Sequence, residues 1–151
     1  MHDAQTIPVV YVQLEDRPGV SIPLQATTGS AGYDLCASQQ ILLKAGSFAK
    51  VPTGLRISMP IGIECQVRPR SGLAAKHGVT VLNAPGTIDS DYRGEVCAIL
   101  INHGQDDFLI EPGMRIAQLV FARVTTVDFV RTDSLETSGR GEGGFGSTGT
   151  R

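Results

Sequence analysis

Apolar residues recur along the chain in short runs, several of them alternating with polar residues, and glycine or proline cuts the runs apart. Windows with helical periodicity are scarce, so the pattern predicts strands. They are expected over residues 9–14, 48–51, 55–59, 63–68, 80–82, 96–102, 108–110, 115–124 and 127–130. Pro18-Gly19, Ala45-Gly46, Pro60-Ile61-Gly62, residues 104–107 and Pro112-Gly113 supply turns between them. Ile63-Glu64-Cys65-Gln66-Val67-Arg68 alternates, which predicts one buried and one wet face. Val96-Cys97-Ala98-Ile99-Leu100-Ile101 is apolar on both faces, so a second sheet, a partner subunit or both must cover the outer one. A single short helix is predicted over residues 71–78, with Ser71 capping its first turn and Gly78 stopping its last. The expected class is an all-β sandwich or barrel.

Composition narrows the function. A chain of 151 residues suits one domain with its own core. A net charge of -2, with no basic stripe, argues against nucleic acid and membrane surfaces as partners while leaving a small anion open. Cys36, Cys65 and Cys97 have neither paired nor metal-like spacing and read as buried thiols of a reducing compartment. Residues 1–6 lack a basic segment followed by an apolar one, and no apolar run approaches membrane-spanning length, so a soluble, cytoplasmic protein is expected.

Polar chemistry concentrates in Pro85-Gly86-Thr87-Ile88-Asp89-Ser90-Asp91-Tyr92-Arg93-Gly94-Glu95. Asn83-Ala84-Pro85-Gly86 is read as a turn using proline's fixed φ and glycine's tolerance of positive φ, and Tyr92-Arg93-Gly94 as a second reversal. Together they predict a hairpin displaying Asp89, Asp91 and Tyr92. The bland alternative is a solvated loop whose aspartates cap backbone amides.

From about Thr132 the pattern dissolves, which divides the chain into a β domain over residues 1–131 and a flexible arm over 132–151. Gly141, Gly143 and Gly146 match G-x-G-x-x-G, but with no strand before and no helix after, the dinucleotide fingerprint is a false match. A plain linker is one reading of the arm. Its Phe145, Arg140, Ser147 and Thr148 favour another: a ring to stack on a flat base, and groups to grip an anion. Arg70-Ser71 at a helix start, Asp89 and Tyr92 in the hairpin, and this arm together describe a nucleotide site, with Asp34 as a further acid. The phosphate-binding loop G-x-x-x-x-G-K-[ST] is absent from the sequence.

Five motifs then occur in order: Ala31-Gly32-Tyr33-Asp34-Leu35, Pro69-Arg70-Ser71-Gly72-Leu73, Gly86-Thr87-Ile88-Asp89-Ser90-Asp91-Tyr92-Arg93-Gly94, Arg115-Ile116-Ala117-Gln118-Leu119 and Arg140-Gly141-Glu142-Gly143-Gly144-Phe145-Gly146-Ser147. With these the chain resembles the trimeric dUTPases. The resemblance implies a homotrimeric, jelly-roll-like β fold with active sites shared between subunits and an arm that crosses to a neighbour. It implies hydrolysis of dUTP to dUMP and pyrophosphate (dUTP diphosphatase activity) with Mg²⁺ as cofactor, limiting uracil in DNA and supplying dUMP for dTMP synthesis. By the same match Asp89 is the general base for water attacking the α-phosphorus, and Asp34 supports the Mg²⁺ indirectly, through water or as a support of the site's arginine.

The remaining roles are also carried over from the resemblance. Asn83, Gly86, Thr87 and Ile88 take the uracil, Tyr92 packs under the deoxyribose, Arg70, Ser71 and Gln118 bind phosphate, and Gly72 is a further substrate-binding residue. Phe145, with Arg140, Gly146, Ser147 and Thr148, covers the bound nucleotide. Plainer alternatives stay open for two of these: Gln118 satisfying a buried backbone group, and Arg70 pairing with Asp34. The rival families are a dCTP deaminase on the same fold, which the second motif and Asp89 disfavour, and a non-catalytic β trimer that binds ligands.

Overall fold

The computed structural model describes residues 6–14 and 20–149. In chain order its elements are β1 (Val10–Gln13), β2 (Leu24–Gln25), β3 (Tyr33–Cys36), β4 (Ile41–Leu43), β5 (Phe48–Pro52), β6 (Leu55–Ser58), β7 (Ile63–Arg68), α1 (Ser71–His77), β8 (Val79–Val81), β9 (Gly86–Ile88), β10 (Cys97–Asn102), β11 (Phe108–Ile110) and β12 (Arg115–Arg123). The chain is nearly all β, as expected, with a single helix among the described residues.

The largest sheet runs β2-β3-β12-β7-β9 and a second runs β5-β10-β8, while β1-β6 and β11-β4 form two-stranded ribbons. All pairings are antiparallel. Leu35 and Leu119 from the first sheet, Val51 and Leu100 from the second, and Leu43 and Ile110 from a ribbon are fully buried in one core. Alternation works as predicted in β7, whose Ile63, Cys65 and Val67 point inward while Glu64, Gln66 and Arg68 stay partly or fully exposed. In β10 the inward set is Ala98, Leu100 and Asn102, and Cys97, Ile99 and Ile101 are only half-covered.

Several expectations need correction. The predicted hairpin is not one: β9 pairs with β7 and β10 pairs with β5 and β8, so residues 89–96 cross from one sheet to the other. Gly86 does not adopt positive φ. The turn before it instead contains a cis Ala84–Pro85 peptide, and Gly86 is small because a Cβ there would stand 3.3 Å from Val67 Cβ. Ser71 does not cap α1. Arg70 occupies that position without a side-chain cap, and Ser71 is the first helical residue.

Gly78 does stop the helix, at φ 66°, and its N–H reaches Ala74 and Leu73 carbonyls. Residues 127–130 form no strand. Val127, Phe129 and Val130 are exposed, and no strand among the described residues pairs with them. Cys65 is buried, but Cys36 and Cys97 are only half-buried. The Pro18-Gly19 turn and residues 1–5 lie outside the described residues. No helix among the described residues is long and apolar enough to cross a membrane.

Candidate active site

The crossing segment builds one part of the site. β9 is held against β7 by the pairs Val67↔Gly86, Gln66↔Thr87 and Cys65↔Ile88. Ile88 turns into the core while Asp89, the next residue, is exposed. The chain then reverses: Tyr92 N donates to Asp89 O at 3.1 Å, and Arg93 Nη1 donates to the Ser90 and Tyr92 carbonyls at 2.7 and 2.8 Å. The Tyr92 hydroxyl donates to Glu95 O at 3.0 Å, which folds its ring back over Gly94. A Cβ at Gly94 would collide with that ring, so only glycine leaves room for it. Glu95 closes the far end by accepting the Gly54 N–H at 2.8 Å.

Beside this segment lies a cavity of about 650 Å³. Asn83, Gly86, Thr87, Ile88 and Tyr92, all anticipated from the sequence, line it. So do Lys50, Cys97 and Ile99, which were not. A signal for two of them was present in the two-faced apolar strand: the outer face of β10 that needed a cover forms the cavity wall.

A second cluster gathers around Asp34. β12 lies between β3 and β7, with Gln118 opposite both Asp34 and Arg68. Asp34 Oδ1 meets Arg70 Nε at 3.3 Å and Oδ2 accepts from Arg115 Nη1 at 3.2 Å. Arg70 Nη1 also donates to the Arg115 carbonyl at 3.2 Å. The pairing of Arg70 with Asp34, an open alternative from the sequence, is therefore real. Gln118 Nε2 donates to Pro69 O at 2.9 Å, fixing the strand that leads into α1, so its backbone-satisfying alternative is also realised. Gly32 leaves the space that this side chain fills, since a Cβ there would strike Gln118 Oε1 and displace the amide from Pro69 O. Ser71 and Gly72 open α1 and are exposed. Sequence reasoning placed Arg115 in a motif but gave it no role.

Asp89, Asp34, Arg70, Ser71, Gly72 and Gln118 do not line the cavity. The arm stands apart as well: Arg140 Nε donates to Gly143 O at 2.7 Å and Ser147 N to Gly144 O at 3.0 Å, both within the arm, while Phe145, Gly146, Ser147 and Thr148 are exposed. No group of three or more His, Cys, Asp or Glu side chains that could hold a metal occurs among the described residues. Burial pushes the Cys65 thiol up to about 12, and raises that of Cys36 as well despite a hydrogen bond with Ser21.

The family model of the dUTPases matches residues 19–149. The chain belongs to the dUTPase family. It is 53% identical over 146 residues to the deoxyuridine 5'-triphosphate nucleotidohydrolase of Rickettsia bellii, covering 95% of this chain and 97% of that one. The enzyme of the same name from Rickettsia typhi is 54% identical over 145 residues, with 95% and 97% covered. Among solved structures, the dUTPase of Staphylococcus bacteriophage 80alpha, with dUPNHPP, superposes with a TM-score of 0.87 at 25% identity, over 95% of this chain and 99% of that one. A mutant dUTPase from phage phi11 of S. aureus, whose description names a structural Mg(II) ion, is similar in fold alone, with a TM-score of 0.78 at 19% identity over 86% and 99% of the two chains.

Proposed function

We propose that this dUTPase-family chain hydrolyses dUTP to dUMP and pyrophosphate, water attacking the α-phosphorus with Asp89 as general base. The observation that carries the reading is the cavity lined by Gly86, Thr87, Ile88 and Tyr92 of the third motif; Asp89 is not in its wall but follows Ile88 in the chain and is exposed. Uracil enters against Asn83, Gly86, Thr87 and Ile88, where fixed backbone donors and acceptors suit its edge and leave cytosine mispaired. Tyr92, pinned through its hydroxyl, forms the floor for the deoxyribose. Asp89 accepts the proton of a water placed in line with the α-phosphorus.

Phosphates require cations, and in one subunit Arg70, Ser71, Gly72 and Gln118 lie outside the cavity wall. A homotrimer in which neighbouring subunits complete each site resolves this, and it also covers the half-exposed face of β10. The arm over residues 132–151 closes on a bound nucleotide, Phe145 over the base and Arg140, Gly146, Ser147 and Thr148 around the phosphates.

The residues fit an Mg²⁺ ion that arrives on the triphosphate and keeps most of its waters, not one in a protein cage. Both oxygens of Asp34 already face guanidinium groups, so Asp34 reaches such an ion only through water. When bound, the ion neutralises charge on the triphosphate. In the cell the reaction keeps uracil out of DNA and supplies dUMP for dTMP synthesis, at a cytoplasmic location.

The test is pyrophosphate release with Mg²⁺ from dUTP, dCTP, dTTP and UTP in parallel, with ammonia followed for dCTP. Release from dUTP alone is expected. Ammonia from dCTP, or no reaction with any of the four, overturns the proposal.

A further inference from the structure

Arg70, Asp34 and Arg115 form a closed circuit. Arg70 is held twice, by the Asp34 carboxylate through Nε and by the Arg115 carbonyl through Nη1. A guanidinium is a rigid plane, so two anchors at different nitrogens fix its orientation and leave the Nη2 edge to meet a ligand. Asp34 can orient Arg70 only if its own carboxylate is held, and Arg115 Nη1 on the second oxygen holds it.

The backbone arranges this. β12 shifts register against β3 between Arg115, opposite Cys36, and Ala117, opposite Leu35, so Ile116 is an extra residue there. Such a bulge re-aims side chains beside it. Arg115 then approaches Asp34 diagonally across the pair, while Gln118, which sits opposite Asp34, turns to the Pro69 carbonyl.

Charge follows the same logic. One carboxylate facing one guanidinium would cancel it, whereas two guanidinium groups leave the cluster with a positive excess. Asp34 and Arg70 side chains keep 22% and 27% of their surface exposed and Arg115 keeps 57%, so the excess is only partly screened and Arg115 can be trimmed without opening the core.

We propose that Arg115 is a positioning residue for triphosphate binding, clamping Asp34 so that Arg70 is oriented toward the phosphates and not neutralised. This rests on the reading of Arg70 as a phosphate ligand.

The test is a double-mutant cycle on the full-length protein. Binding of dUpNHpp is measured by calorimetry for the wild type, R115Q, D34N and R115Q/D34N, with inhibition by deoxyuridine as a second readout and R70Q as the control. R115Q is expected to raise the triphosphate Kd about fivefold. It should leave deoxyuridine inhibition unchanged, and add nothing further in the D34N background, because the clamp acts through Asp34.

An unchanged Kd for R115Q overturns the proposal. Additivity with D34N overturns it too, by showing that Arg115 touches phosphate directly, and so does a parallel loss of deoxyuridine binding, which marks damage to the fold. If R115Q does not fold, R115M goes through the same cycle, its loss of the Nη1 contact to Asp34 being expected to weaken the triphosphate alone. A wild-type triphosphate Kd for R70Q instead removes the phosphate role of Arg70 on which the proposal stands. R70Q weakened while R115Q and R115M are normal removes only the clamp.

Discussion

At the scale of single residues, Asp89 and Cys65 show opposite uses of exposure. Asp89 sits in solvent after a buried isoleucine, so a change there alters chemistry and leaves packing alone. Asp89→Asn is expected to lower turnover by roughly 100-fold or more. Nucleotide should still protect the arm from protease, as read by limited digestion with dUpNHpp. Unaltered turnover in this variant would remove Asp89 as the base. Cys65 lies on β7 inside the core, and its thiol is raised from 9.0 to about 12 by burial. The fold therefore favours the protonated form, and this contribution to stability is complete below pH 9 and drains away as pH rises toward 12. Iodoacetamide at about pH 8 should spare Cys65 in native protein and modify it in urea, since the thiolate is the nucleophile. Peptide mapping by mass spectrometry would show otherwise if native and unfolded protein react alike.

Elements show what patterning can and cannot reveal. β7 and β11 match their expected limits because alternation or a compact apolar run between turns marks both ends. β2, β3, β4 and β9, two to four residues long, show no period and, unlike the equally short β11, are not compact apolar runs set between two turns, so the pattern does not mark them. β9 is also glycine-led and embedded in a polar motif that reads as a turn. Residues 127–130 carry a strand pattern with no partner among the described residues, and a sequence period does not reveal whether a partner exists. Asn102 ends β10 as a fully buried polar residue in an apolar run, and its amide ties β10 to β4 and to the loop before β11. Nδ2 donates to Leu43 O and Asp106 O at 3.0 and 2.9 Å, and Oδ1 accepts from Gly104 N at 2.9 Å. Asn102→Ala strands these backbone groups and is expected to cost about 3 kcal/mol, measurable as a lowered urea midpoint at unchanged slope. A stability loss below about 0.5 kcal/mol would show that water replaces the amide.

Over the whole molecule, the motifs named the site's parts more readily than their arrangement. Five residues of the cavity wall were legible in the 83–92 segment and the outer face of β10 was marked by its apolar pattern, whereas Lys50 enters the wall through its pairing with Ile99, which no local window contains. Arg115 was visible as a motif residue, yet its hold on Asp34 depends on a bulge that the sequence does not advertise. For the arm, truncation after Arg131 should leave the melting temperature within about 2 °C. It should lower turnover on the order of 100-fold, since a misplaced cover costs that much in a positioned reaction. Light scattering of the full chain and of the truncated form should give three times the mass of one chain, against 16.0 kDa for the full-length monomer. A monomeric mass for the full chain would remove the shared site.

The separation of the cavity, the Asp34 cluster and the arm within one chain has a genetic consequence. If each site draws on different copies, a subunit lacking Asp89 and a subunit lacking its arm damage different components, and a mixed assembly can contain a site with both intact. Two individually inactive alleles would then complement each other when expressed together. A single allele defective in several components would behave as a dominant poison of the wild-type product.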